Sequence, residues 1–161
     1  MNRRKLLGSI VSLAAATLLA PPLVRAEGAK ADSDLPTMEV WKDPSCGCCK
    51  DWVSYLEKDG FKVIVHDTGN NAMRRRLGLP MKYASCHTAL IGGYVVEGHV
   101  NAPEIRRMLK EKPDALGLSV PGMPVGSPGM DGPVYQGRKD PYDVVLVNKD
   151  GSHKVYQSYH R

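Results

Sequence analysis

Hydrophobic and polar residues change rhythm several times along the chain, and each change predicts an element. Met38-Glu39-Val40-Trp41 alternates with a period of two and predicts a strand. Asp43-Pro44-Ser45 breaks it, with Ser45 as the expected N-cap of a helix that runs to about Asp59. Trp52, Val53 and Leu56 form the apolar side of that helix, and Gly60 ends it. Phe61 to His66 predicts a second strand, and Asn71 to Leu77 a short basic helix closed by Gly78-Leu79-Pro80. Thr88-Ala89-Leu90-Ile91 and Tyr94-Val95-Val96-Glu97-Gly98, joined by Gly92-Gly93, predict a hairpin with a two-glycine turn. Ala102 to Lys112 reads as an amphipathic helix with Ile105, Met108 and Leu109 inward. Val120 to Gly132 is too rich in Gly and Pro for helix or central strand. A last hairpin follows, Tyr142 to Asn148 and Lys154 to Tyr159 around Lys149-Asp150-Gly151, which adds strands to the sheet or covers an edge. The expected class is α/β and thioredoxin-like: a small mixed sheet flanked by helices, with an extra C-terminal β-hairpin and a CxxC at the first strand-to-helix junction.

The N-terminus follows a different pattern. Asn2-Arg3-Arg4-Lys5 is basic, Leu6 to Ala20 is apolar but short, and Val24-Arg25-Ala26 has the form of a cleavage site. Residues 1–26 therefore read as an export signal, of the general secretory or, from the paired arginines, the twin-arginine kind, and the expected location is periplasmic. Residues 27–37 read as a disordered lead, and 38–161 as one domain. The signal also changes the charge argument. The whole chain carries 22 Lys+Arg against 17 Asp+Glu, but four of the basic residues lie in the signal. The remaining 18 against 17 are nearly balanced, which leaves no basic patch to argue for nucleic acid. No further apolar run of membrane length remains.

The chemistry is concentrated in the cysteines. Of four, three stand within Cys46-Gly47-Cys48-Cys49, and the fourth is Cys86 in Ser85-Cys86-His87-Thr88. Cys46 and Cys49 face the same way at a helix N-terminus, where free N–H groups favour thiolate. That pair alone suits thiol–disulfide exchange, but Cys48 would compete with it. In a thioredoxin-like fold the loop of Cys86 lies against the CxxC, so all four thiols can meet at one site. Four thiolates together repel unless a cation neutralises them, and soft sulfur selects Cu(I), Zn(II) or iron–sulfur. His87 adjoins Cys86. His99 follows the hairpin as a ligand or as the hydrogen-bonding neighbour of one. Met123 and Met130 repeat a Pro-Gly-Met seven residues apart, as thioether ligands or as packing in a lid. Thioethers favour Cu(I) over Zn(II), so the candidate set of cysteine, methionine and histidine suits Cu(I); zinc is the alternative metal, and two disulfides, Cys46–Cys49 with Cys48–Cys86, the alternative without metal. His66, His153 and His160 read as end-of-strand or exposed residues, Trp41 and Trp52 as packing near the site, and Arg74-Arg75-Arg76 as a solvated helix face.

Cys-Gly-Cys-Cys, Ser-Cys-His-Thr-Ala, Glu-Gly-His-Val and Pro-Gly-Met-Pro-Val-Gly-Ser-Pro-Gly-Met, in this order over residues 38–131, resemble the small exported metal-binding proteins related to the copper-resistance protein CopG (not the DNA-binding repressor of that name). The resemblance implies a thioredoxin-like fold and a cysteine-bridged multinuclear copper cluster on Cys46, Cys48, Cys49 and Cys86, with His87 or His99 taking part. Asn101 departs from the family pattern, which often has proline after Glu-Gly-His-Val. Copper ions are the expected partners, with copper efflux or other periplasmic copper proteins beyond them. Storage, transfer and copper redox turnover all remain open. The competing function is a thiol–disulfide oxidoreductase using Cys46 and Cys49.

Overall fold

Met38 and Val40 turn inward while Glu39 and Trp41 stay half exposed, so the alternation predicted from sequence becomes strand β1 (Met38–Lys42). The computed structural model describes residues 34–161; the expected export signal, 1–26, and residues 27–33 of the expected lead lie outside the described residues. After β1 come α1 (Gly47–Lys58), β2 (Val63–His66), α2 (Asn71–Arg76), the hairpin β3 (His87–Ile91) and β4 (Tyr94–Glu97), α3 (Ala102–Glu111), β5 (Gly117–Ser119), and the last hairpin, β6 (Tyr142–Val147) and β7 (His153–Tyr159). All seven strands form one sheet in the order β2-β1-β3-β4-β5-β6-β7. The β1–β2 and β4–β5 pairs are parallel and the others antiparallel. This is a mixed α/β fold in which the C-terminal hairpin extends the sheet.

Burial explains the layers. Trp52 and Leu56 of α1 and Ile105 and Met108 of α3 share one apolar cluster with Met38, Val40, Ala89, Ile91 and Val96 of the sheet. Leu79 and Tyr83, after α2, form a second cluster with Val95, Val145 and Val147. Alternate residues of β4 enter different clusters, so α1 and α3 cover one face and the segment after α2 the other. No helix of the described residues is long and apolar enough to cross a membrane.

Five details differ from the sequence reading. Ser45 is not the cap of α1; that position is Cys46, because the Ser45 amide and hydroxyl both bond to Asp43 Oδ1 (2.8 and 2.5 Å) in a local turn. Phe61 is core rather than strand: its amide bonds back to Leu56 O, and β2 starts at Val63. Leu109 is only half buried, at the margin of the cluster that Ile105 and Met108 fill. Within the arginine run, Arg75 and Arg76 are exposed but Arg74 is 3% exposed, drawn inward by a buried carboxylate. Strand β5 was not expected at all; three residues beginning with glycine carry no periodicity.

Candidate metal centre

The site forms where the first turn of α1 meets the loop before β3. No side chain caps α1 and no acidic residue stands in its first turn, and the cysteines lie at this end of the helix, where the first N–H groups have no intrahelical acceptor. Cys49 is fully buried, and Cys46 and Cys48 are half buried. Cys46 and Cys49 are joined by a disulfide, while Cys48 and Cys86 are free thiols; of the two bridges considered from sequence, only the first is formed. Cys48 Sγ lies 3.6 Å from Cys46 Sγ, and Cys49 Sγ lies 3.7 Å from the carbonyl of Cys86. All four sulfur atoms lie within 4.8 Å of one another.

Cys86 is also the meeting point with the histidines. His99 Nε2 is 3.1 Å from Cys86 Sγ, and His87 Nδ1 is 3.4 Å from it. His99 Nδ1 lies 2.7 Å from the carbonyl of Pro128. A carbonyl can only accept, so Nδ1 carries the proton and the Nε2 lone pair faces the sulfur. His87 is fully buried against the Trp52 ring, with centroids 4.2 Å apart, and its Nε2 has no protein partner. Burial lowers the pKa of both imidazoles, that of His87 also through the nearby His99. Burial, then the neighbouring Cys48, pushes the Cys86 thiol up to about 12. A bound soft cation reverses that cost, because a coordinating thiol is deprotonated by the metal's charge.

A buried polar clamp fixes Cys86. Glu97 Oε1 accepts from the Ser85 amide (2.7 Å) and from Arg74 Nε (2.8 Å), and Oε2 accepts from Thr88 Oγ1 (2.6 Å). Arg74 Nη2 donates in turn to Ser85 O at 2.6 Å. Both backbone groups of Ser85 are thus held, one residue before the sulfur. Burial raises the Glu97 pKa, and its three donor groups oppose that shift. Sequence reasoning missed this clamp. A lone glutamate ending the apolar strand Tyr-Val-Val-Glu is a signal, since a buried carboxylate needs a cation and donors. Nothing in the run of three arginines marks Arg74 as that cation.

Gly98 lets β4 turn toward His99. Its φ is +69°, and a Cβ there would stand 2.4 Å from Ser85 Oγ and 2.6 Å from Val120 O. Gly98→Ala is expected to cost about 1–3 kcal/mol and to shift the NMR signals of the His99 ring. Unchanged melting and unchanged ring shifts would contradict this account of the turn.

The loop 121–131 crosses the site. Its Gly122 is bonded by the Ser85 hydroxyl, and Gly126 N bonds Met130 O at 2.7 Å. Gly129 approaches α1 so closely that a Cβ would lie 2.7 Å from Cys48 O and 2.8 Å from Trp52 N. The two methionines are placed differently from the cysteines and histidines. Met130 Sδ accepts from the Tyr135 hydroxyl at 3.1 Å. Met123 is 53% exposed and lines a surface groove with Pro121, Pro124 and Tyr142. His66 stacks on Trp41 and bonds Glu39, His153 bonds Tyr83, and His160 faces Gly126 O. Trp52 packs on the site, and its Nε1 bonds Val100 O at 2.9 Å.

Comparison with known proteins gives three findings. Residues 83–130 match a family described as a protein of unknown function, DUF411. Two solved structures are similar along nearly their whole length, each with a TM-score of 0.71. One, named copper resistance protein CopG, Form 1, is 46% identical over 77% of this chain and 98% of its own. The other, Form 2 of the same name, is 44% identical over 78% of this chain and 98% of its own. No curated protein matches.

Proposed function

The chain belongs to the CopG copper-resistance family, and from that premise we propose that it binds copper as Cu(I) after export to the periplasm. The observation that carries the reading is the convergence of four cysteine sulfurs within 4.8 Å, with Cys86 shared by a second group that includes His87 and His99. A thiolate-rich pocket with imidazole at its edge is soft and cationophilic, which favours Cu(I). Thiolates that bridge let one pocket hold several ions, so the site reads as a multinuclear cluster on Cys46, Cys48, Cys49 and Cys86. Uncapped N–H groups at the start of α1 offset part of the cluster's negative charge. His99, oriented by Pro128, is the better placed imidazole. Met130 and Met123 are weaker candidates, since one thioether is already hydrogen-bonded and the other is exposed. The strand and helix order around the CxxC supports a thioredoxin-like scaffold for this site. Such a protein would store copper, pass it to efflux or other periplasmic copper proteins, or change its oxidation state.

Anaerobic loading of reduced residues 27–161 with Cu(I), followed by metal analysis, tests the reading. More than one copper per chain is expected, falling when Cys48 is replaced by serine. Preferential retention of zinc over copper would replace the metal. A second reading is favoured by the Cys46–Cys49 disulfide itself, which stands at a helix N-terminus as in thiol–disulfide exchange. One copper or none, with insulin disulfide reduction intact in Cys48→Ser, would make that reading the function.

A further inference from the structure

We propose that the Cys46–Cys49 disulfide sets the capacity of the site rather than closing it: with the bond intact, Cys86, His99 and His87 still hold one Cu(I) ion, and its reduction opens the rest. The inference rests on the copper reading above and concerns how that site is regulated. It follows from the fact that two donor groups share a single residue. The four cysteines make one group; Cys86, His87 and His99 make the other. A disulfide removes Cys46 and Cys49 from the first and touches none of the second.

The second group has the spacing that one ion requires. Metal–nitrogen and metal–sulfur bonds of about 2.0–2.3 Å, at trigonal or tetrahedral angles, place donors roughly 3.5–3.8 Å apart. Cys86 Sγ lies 3.1 Å from His99 Nε2 and 3.4 Å from His87 Nδ1, so entry of an ion needs a spread of only a few tenths of an ångström. One thiolate with two imidazoles is also a soft enough set for Cu(I).

Each of the three donors is held by contacts that the disulfide does not supply. Cys86 follows the Ser85 peptide gripped by Glu97 and Arg74. His99 is oriented by the Pro128 carbonyl. His87 stands in register opposite Lys42 in the β1–β3 pair, and its ring rests on Trp52. Outer contacts of this kind fix ligand orientation before the metal arrives. Capacity then changes by an ordinary exchange. A dithiol reductant of the compartment attacks the Cys46–Cys49 bond and leaves as its own disulfide. Two electrons and two protons pass to Cys46 and Cys49, whose thiol protons are displaced when copper binds.

The test is an anaerobic Cu(I) titration against a chromophoric Cu(I) chelator, run on the disulfide form and on protein reduced and then desalted. Alkylation and mass measurement check the disulfide before and after. One copper per chain is expected in the disulfide form and more than one in the reduced form. The single copper should disappear in His99→Ala. A Cys46→Ser/Cys49→Ser variant, which cannot change redox state, should also bind one. Circular dichroism of each variant confirms that it has folded. A disulfide form that binds none, or whose copper survives His99→Ala, would overturn the inference and leave a reduced cluster standing. Reduced protein that binds no more than one copper would sink the cluster reading and the change in capacity together.

Discussion

Replacement of Glu97 by alanine is expected to destabilise the metal-free protein by about 3–5 kcal/mol, the cost of breaking a buried ion pair from one side. The carboxylate is fully buried, and its donors are Arg74, the Ser85 amide and the Thr88 hydroxyl. Alanine leaves a guanidinium that is 3% exposed with its charge uncompensated. It also leaves the Ser85 amide and the Thr88 hydroxyl without the acceptor they share. Glu97→Gln keeps the shape but not the charge, and should cost less than alanine. Removing both ends of the pair with an apolar match, Arg74→Met with Glu97→Leu, should be less damaging than either end alone, because no charge is then stranded. Urea unfolding of these variants, of both single replacements and of the unaltered protein checks the ordering. A loss below about 1 kcal/mol for Glu97→Ala would mean that the pair behaves like an exposed one and does not hold the Ser85 peptide.

Cys86→Ser is expected to weaken copper binding more than any other single cysteine replacement, and to do so in both redox states. Cys86 alone belongs to both donor groups. Serine is nearly the same size, and its hydroxyl is a hard donor that does not replace a thiolate for Cu(I). Loss of an outer-shell partner of a metal ligand costs roughly 10–100-fold in affinity; loss of Cys86 itself should exceed that. Cys48→Ser, by comparison, should reduce the number of ions in reduced protein, since Cys48 belongs to the four-cysteine group alone. Competition for Cu(I) measures both. Equal copper content in Cys86→Ser and unaltered protein would place the binding site elsewhere.

Periodicity made most of the framework legible. The alternation of β1, the two-glycine hairpin of β3 and β4 and the stripe of α3 each follow from which residues must be buried. The gathering of the cysteines was legible from their spacing and the position of Cys86 in the expected fold. The illegible parts depend on partners far away in sequence. Arg74 looks like its two neighbours until Glu97, 23 residues on, is packed beside it. Ser45 is a good cap by residue type, but Asp43 competes for its hydroxyl two positions earlier. The orientation of His99 depends on a carbonyl 29 residues later, in a loop without periodic structure. Strand β5 exists because β4 and β6 flank it, and its three residues have no pattern of their own.

That short strand has a consequence for the site. Ser119 of β5 pairs with Val145 of β6, so the connection between the two strands, residues 120–141, is a loop whose ends are joined by the sheet. The loop carries Pro128, which orients His99, and Gly129, which lies against Cys48 O. Closing a chain of that length has an entropic cost that grows only slowly with the number of residues, and the strand pairs at its base offset that cost. The C-terminal hairpin, at the other end of the sheet from β2, is therefore a clasp. Removing it would leave every proposed ligand in the chain while releasing one end of the segment that aims His99.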